Sequence, residues 1–329
     1  MSDFSFSDWI ARNRWIWSCL GVLILWTILS AVTAQFTLSS LSGVAVTSAF
    51  LALVALGQMA VVTTGGGNID LSIASVMTLS AFNALIVVGG HDSRIGLGIV
   101  TTLALGLVVG AVNAAMVLGL RIPAIIATLA SGYVLATASL LANRAIPGFV
   151  IAPTLRAVAT ARVAGFPIMA ALAIAVAAAA SALLNGAAYG RALSAVGQNA
   201  AAARLAGVKI GRVTTAAFLA SSVLAAFAGL LQGAYVGGAF LEMGQPFLLQ
   251  SLGAVVLGGT LIFGGAGTAV GTLFGAVLLV LIVTTMQIAK LPPGTQDVVE
   301  GVVIIAVLAL AGGGARRRGA KPNPPPAPV

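Results

Sequence analysis

The run Thr63-Thr64-Gly65-Gly66-Gly67-Asn68-Ile69-Asp70-Leu71-Ser72 places an amide, a carboxylate and a hydroxyl just after three glycines, between two apolar stretches. Glycines break a helix, and the next helix start exposes N–H groups that an oxygen of Asp70 or Ser72 can accept. Two compatible readings follow. One is a capped helix start at a membrane face; the other is a broken helix lining a solute path, with Gly66, Gly67, Asn68, Asp70 and Ser72 on it. Further polar side chains, Gln58, Asn83, Asn113, Thr128, Gln232 and Gln250, lie in or near apolar stretches. An unpaired amide or hydroxyl is costly there, so each one either joins helices or hydrogen-bonds a hydroxylated solute.

Covalent chemistry has no such support. The sequence holds no Gly-x-x-x-x-Gly-Lys-Ser/Thr phosphate loop, no Gly-x-Ser-x-Gly elbow and no His-Glu-x-x-His zinc motif. Its one histidine, His91, stands beside Asp92 in a Gly-rich turn without a second His or Cys nearby, which reads as a solvated side chain and not a metal ligand. Asp70, Glu242, Asp297 and Glu300 fall at the ends of apolar stretches, whereas a proton-coupled carrier usually needs such groups in mid-span. The chain therefore carries no motor of its own, and a self-sufficient ion-driven carrier is the weaker alternative.

The elements that must position these residues are membrane helices. The chain is 60% hydrophobic and only 7% charged, with mean hydropathy +1.11, and no soluble core needs that much apolar length. Division at Gly, Pro and charged positions gives ten apolar segments, at 15–34, 43–64, 72–89, 96–119, 124–142, 167–185, 214–237, 247–262, 268–288 and 298–312. The expected fold is an all-α polytopic membrane protein of about ten transmembrane helices, some broken or short. A cleaved leader ending near Ala34 is the alternative for the first segment, but its apolar stretch exceeds the usual limit of about 15 residues. The single Cys19 lies inside this segment and excludes an intrachain disulfide framework.

A net charge of +9 raises the question of nucleic acid, yet the basic residues lie between apolar blocks and form no basic domain. They orient the chain instead. With a cytoplasmic N-terminus the inner side collects 11 of the 16 Lys and Arg: Arg12, Arg14, Arg121, Arg191, Arg204, Lys209, Arg212, Arg316, Arg317, Arg318 and Lys321. The outer side collects the other 5: Arg94, Arg144, Arg156, Arg162 and Lys290. That asymmetry expects both termini inside. The domain reading is a cytoplasmic segment 1–14, a permease domain 15–312 and a disordered cytoplasmic tail 313–329 with a basic anchor at Arg316–Arg318. The outer segment 143–166, with Pro147, Gly148 and Pro153, reads as an irregular loop or short surface helix open to an external partner.

Between two apolar blocks, 189–213 is unusually wet, with Arg191, Arg204, Lys209 and Arg212. Within it Asn199 suits a helix N-cap, an alanine-rich run follows, and Gly207 suits the C′ position. So short a helix is unstable alone in water and needs a surface to rest on. Glycines at four-residue spacing (Gly106, Gly110; Gly229, Gly233, Gly237; Gly267, Gly271, Gly275) expect close helix packing. A Gly-rich break before a Ser/Thr-bearing apolar helix occurs at Gly65–Ser72 and again at Gly264–Thr268, too weak a match to call a repeat.

Three runs together resemble the permease subunits of bacterial ABC importers for monosaccharides of the ribose/xylose/galactoside type. Thr64 to Ser72 is similar to the family's Thr-Gly-Gly-Ile-Asp-Leu-Ser. Leu120-Arg121-Ile122-Pro123-Ala124-Ile125-Ile126-Ala127-Thr128-Leu129 resembles its Leu-Arg-Ile-Pro-Pro-Phe-Ile-Ala-Thr-Leu. Ala195-Val196-Gly197, Arg204 to Val208, Val255 to Thr260 and Gly264 to Thr268 follow its carboxy-terminal half, so that the likeness covers roughly residues 40 to 312. The resemblance implies an inner-membrane pore of two such chains, identical or paralogous, in the lipid bilayer. A periplasmic solute-binding protein would feed it and cytoplasmic ATPase subunits would drive it. ATP and Mg would be bound by those subunits, with no cofactor in this chain. It implies that Asn199 to Gly207 is the coupling helix, with Asn199, Ala200, Arg204, Leu205 and Gly207 at the ATPase. Two departures stand out: Ala200 where the family commonly has Glu, and the extra residue at Gly67-Asn68.

Overall fold

The computed structural model describes residues 15–33, 38–145 and 148–318. The segment 1–14 and residues 319–329 of the expected tail lie outside these ranges. Each of the ten apolar segments corresponds to a helix: α1 Trp15–Thr33, α2 Leu38–Thr63, α3 Ile73–Val88, α4 Ile95–Leu118, α5 Ala124–Ala145, α7 Ile168–Gly186, α10 Ile210–Val236, α11 Gln245–Leu257, α12 Ala269–Ile288 and α13 Pro293–Arg318. Shorter helices fill the connections: α6 Pro153–Thr160, α8 Ala188–Gln198 and α9 Ala200–Leu205. Six of the described helices are long and apolar enough to cross a membrane.

Among the described residues the regular structure is helical with one exception. Arg162–Val163 (β1) pairs antiparallel with Phe166–Pro167 (β2), across a turn in which Ala164 and Gly165 have φ of 49° and 82°. Two successive positive φ values match the twist of a tight hairpin. Of the outer segment 143–166, where a loop or a short helix was expected, residues 143–145 end α5, 146–147 lie outside the described residues, and α6 and this small ribbon occupy most of the rest.

Helix α2 is the hub. From Val46 to Val62 it is apolar on almost every side and its side chains are nearly all buried, as a helix without a polar face must be. It packs against α10, α12, α7 and α11, while α10 also packs against α3 and α4. Glycines set the separations. A Cβ on Gly106 or Gly110 would press on the α10 backbone at Ser222 and Leu219, and one on Gly229 would overlap the Met77 carbonyl of α3. The four-residue spacing thus packs helices within the chain. Gly237 and Gly267 depart from it: Gly237 ends α10 in the left-handed conformation with φ 91°, and Gly267 lies against the Thr63 hydroxyl.

The perimeter is apolar as well. Leu97, Val100, Val108 and Val112 on α4, and Ile126, Tyr133 and Val134 on α5, are exposed, a surface that suits lipid and not water. Two helices are too short to cross unaided. At 1.5 Å per residue the 16 residues of α3 and the 13 of α11 reach about 24 and 20 Å, against a hydrocarbon core of about 30 Å. α11 stops at Leu257, short of the expected 262, because the chain turns through Gly258 and Gly259, the latter with φ 86°.

Candidate functional site

The break after α2 is built by three consecutive left-handed residues, Gly65, Gly66 and Gly67, with φ of 73°, 67° and 77°. Only glycine adopts that run without strain at each step. The Asn68 amide closes the turn by donating to the Thr64 hydroxyl at 2.9 Å. The chain then passes through Asp70, which is fully buried. Its Oδ1 accepts the Ser72 N–H at 3.0 Å and the Ser72 hydroxyl at 2.6 Å. Its Oδ2 accepts the Ser221 hydroxyl of α10 at 2.8 Å. Ser72 stands at the N-cap of α3 without capping it through its side chain, because that hydroxyl is committed to Asp70. The expected cap is replaced by a local carboxylate turn.

Four helices close around this segment with one polar side chain each. Gln58 of α2 accepts the Asp70 N–H at 3.3 Å. Asn113 of α4 donates to the Ser72 hydroxyl at 2.9 Å and accepts from Ser131 at 2.7 Å. Thr128 of α5 accepts the Leu71 N–H at 2.9 Å, and Ser221 comes from α10. The structure therefore joins Gln58, Asp70, Ser72, Asn113 and Thr128 in one network whose members are all wholly buried. A buried network of this kind fixes the geometry of what it holds. What it holds is the turn, whose Gly66 and Gly67 stay exposed. Asn83 lies elsewhere, donating to Thr101 and Thr102 at 3.1 and 3.2 Å between α3 and α4.

At the same end of the bundle two glycine turns meet the last turn of α8. The Gly265 N–H donates to the Thr63 carbonyl at 3.0 Å, and a Cβ on Gly197 would overlap that carbonyl oxygen. The Gln198 amide donates to the Gly265 carbonyl at 3.3 Å. The end of α8, the end of α2 and the loop before α12 are thus in backbone contact. α8 is held in place by buried Leu193 and Val196, and by the Tyr189 hydroxyl, which donates to the Val213 carbonyl at 3.4 Å. Burial pushes that phenol up to about 12, so it remains a donor at physiological pH.

Directly after this junction comes α9. The Asn199 side chain accepts the Ala202 N–H at 3.0 Å, Gly207 has φ 83°, and the Val208 N–H returns to the Ala203 carbonyl at 3.0 Å. Cap and stop stand at the residues the sequence marked for them. Ala203 is the buried contact. The other face is bare: Asn199 to Ala202 and Arg204 to Gly207 are exposed, and Leu205 is 92% exposed.

The opposite end of the bundle holds a cavity of about 640 Å³ between the beginnings of α2, α11 and α13 and the ends of α10 and α12. Glu242, Gln250, Asp297 and Glu300 line it together, although sequence spacing left the carboxylates as unrelated span ends. Gln250 donates to Glu300 at 3.1 Å. Among the described residues no group of three His, Cys, Asp or Glu is placed to hold a metal ion.

Apolar helices with a lipid-like perimeter, a broken helix held by a buried polar network, and a short bare helix at one end define a multi-pass membrane transport component. The family model described as branched-chain amino acid transport system permease component matches residues 40–308, and the chain belongs to that family. It is similar to the autoinducer 2 import system permease protein LsrC of Klebsiella pneumoniae, at 34% identity over 92% of this chain and 88% of the relative. The proteins of that name from an Enterobacter species and from Escherichia coli O157:H7 are 32% and 30% identical, each over 92% of this chain and 88% of the relative. No solved structure matches the chain. Family, relatives and apolar helices place the protein in the bacterial inner membrane as a transport component.

Proposed function

We propose that the chain is the membrane-spanning subunit of an ATP-driven, binding-protein-dependent importer. Its cargo is a small hydroxylated solute, a monosaccharide or the autoinducer 2 named for its relatives, and the solute crosses unchanged by alternating access. The observation that carries this reading is α9, a capped helix with one buried residue and an exposed Leu205, adjoining the backbone junction that leads to the broken helix. A helix so short and bare fits a partner's groove. In this proposal the partner is a cytoplasmic ATPase subunit that binds ATP and Mg, and Asn199, Ala200, Arg204, Leu205 and Gly207 face it. Ala200 leaves the fit to shape where the family commonly has a charge.

The remaining assignments follow from that orientation. Residues 15–312 form the permease domain with ten crossings, 189–213 is the coupling loop, and 1–14 and the 313–329 tail are cytoplasmic. Helices α3 and α11 complete their crossings through the glycine turns beside them. Gly66, Gly67 and Asn68 border the path, with Asp70, Ser72, Gln58, Asn113 and Thr128 holding them in place and Asn83 fixing α3 to α4. A second copy or a paralogous permease completes the pore, and a periplasmic binding protein delivers the solute to the end that carries α6.

Reconstitution tests the energy source. Vesicles with this chain, its ATPase subunits and its binding protein take up labelled solute when supplied with ATP, and the chain alone under an ion gradient takes up none. Uptake by the chain alone would overturn the proposal in favour of a secondary carrier.

A further inference from the structure

Apart from Asn83, Gln232 and Gln250, the path candidates read from the sequence belong to the end of the bundle near α9, and the cavity at the other end, which Gln232 and Gln250 line, is left without a role. Its lining is unusual for a membrane protein. Five amides, Gln232, Gln245, Gln250, Gln287 and Gln296, converge on it from α10, α11, α12 and α13. Three carboxylates, Glu242, Asp297 and Glu300, join them, and no Lys, Arg or His lines the space. Phe240 and Phe247 supply the apolar part. The Gln232 Oε1 is buried and has no hydrogen-bond partner, and a buried acceptor left without a donor is costly until a ligand supplies one.

We infer that this cavity is a binding subsite for a neutral, hydroxylated small molecule, and that its carboxylates exclude anionic forms of the same molecule. The inference rests on the importer reading for the cargo's identity, and it adds the place and the charge rule. Hydroxyl groups donate to carboxylates and to amide oxygens and accept from amide N–H groups, so a polyol satisfies both halves of this lining. Gln250 is already oriented by Glu300. Phenylalanine faces suit the C–H side of a sugar ring, in a pocket that is mostly apolar with a few placed polar groups. A phosphate or carboxylate would meet three like charges and no counter-charge, which is unfavourable wherever water is partly excluded. An acyl chain fits no better, because it would offer no hydrogen bond to the buried Gln232 Oε1 or to the other polar groups of the lining.

Thiol labelling of the full complex in right-side-out vesicles tests this. In a Cys19→Ser background, Gln287→Cys and, separately, Gln296→Cys each place one thiol at the cavity; Thr160→Cys on exposed α6 is the surface control. The probes are a cationic trimethylammonium methanethiosulfonate and an anionic sulfonate methanethiosulfonate. Relative to the control, the cationic reagent labels the cavity thiols about tenfold faster than the anionic one. Combined Glu242→Gln, Asp297→Asn and Glu300→Gln removes the difference. Millimolar ribose, xylitol or erythritol slows labelling, and ribose 5-phosphate does not. Equal rates for the two reagents, no protection by any of the three polyols, or protection by ribose 5-phosphate equal to that by ribose overturns the inference. The labelling requires neither ATP nor transport. A cavity that passes while uptake proves independent of ATP therefore rejects the importer reading and keeps the subsite.

Discussion

Asp70 is held on both oxygens by donors that have no other acceptor of comparable quality: the Ser72 N–H and hydroxyl on one, the Ser221 hydroxyl on the other. Removing an acceptor from buried donors costs about 1 to 3 kcal/mol for each group left unpaired. Asp70→Ala should therefore lower the apparent melting temperature of the purified protein well beyond Ser75→Ala, a change at a half-buried neighbour. An unchanged melting temperature would show that the network does not hold the turn. The sequence showed the residue types of this site but not their roles. Polar side chains in apolar stretches either join helices or meet a solute, and only the fold pairs Asp70 with Ser221, 151 positions away. Likewise Asn83 and Asn113 look alike in sequence, yet one bridges α3 to α4 and the other braces the broken segment.

At the scale of elements, local signals were legible and junctions were not. Apolar length located the helices, and Asn199 and Gly207 located the ends of α9 because capping is decided by a few adjacent residues. The helix α8 before it escaped notice, since its apolar contacts Leu193 and Val196 are sparse within a polar stretch. The glycine junction also has no local signature: Gly65 and Gly265 lie in two turns and Gly197 in the last turn of α8, all far apart in sequence. Its consequence is mechanical. The end of α8 lies on the backbone of α2 and of the loop before α12, so under the proposed coupling a displacement of α9 would reach both short helices through these backbone contacts. Gly197→Ala inserts a methyl where the Thr63 carbonyl already lies, and overpacking against backbone costs about 1 to 3 kcal/mol. In the complete complex this variant should retain ATPase activity while losing most uptake. Full uptake at normal expression would exclude the junction as a transmitting contact.

For the whole molecule, the two ends have different chemistry. One carries α9, the basic 189–213 loop and the glycine turns; the other carries α6, the ribbon and a cavity lined by amides and acids. In the orientation proposed from the charge asymmetry of the sequence the first end faces the cytoplasm, and in the proposed importer the motor is a partner subunit. Helix α9 links these two statements, and Leu205 isolates it experimentally. A side chain that is 92% exposed contributes little to folding, so its loss should change stability by no more than about 0.5 kcal/mol. The decisive measurement is ATP-dependent uptake by the complete complex with Arg204→Ala and Leu205→Ala together, at normal expression and with the melting temperature of the permease recorded in parallel. The account predicts an unchanged melting temperature and uptake reduced by about tenfold or more, the equivalent of about 1.4 kcal/mol of lost docking. Uptake equal to that of the unaltered complex would contradict it.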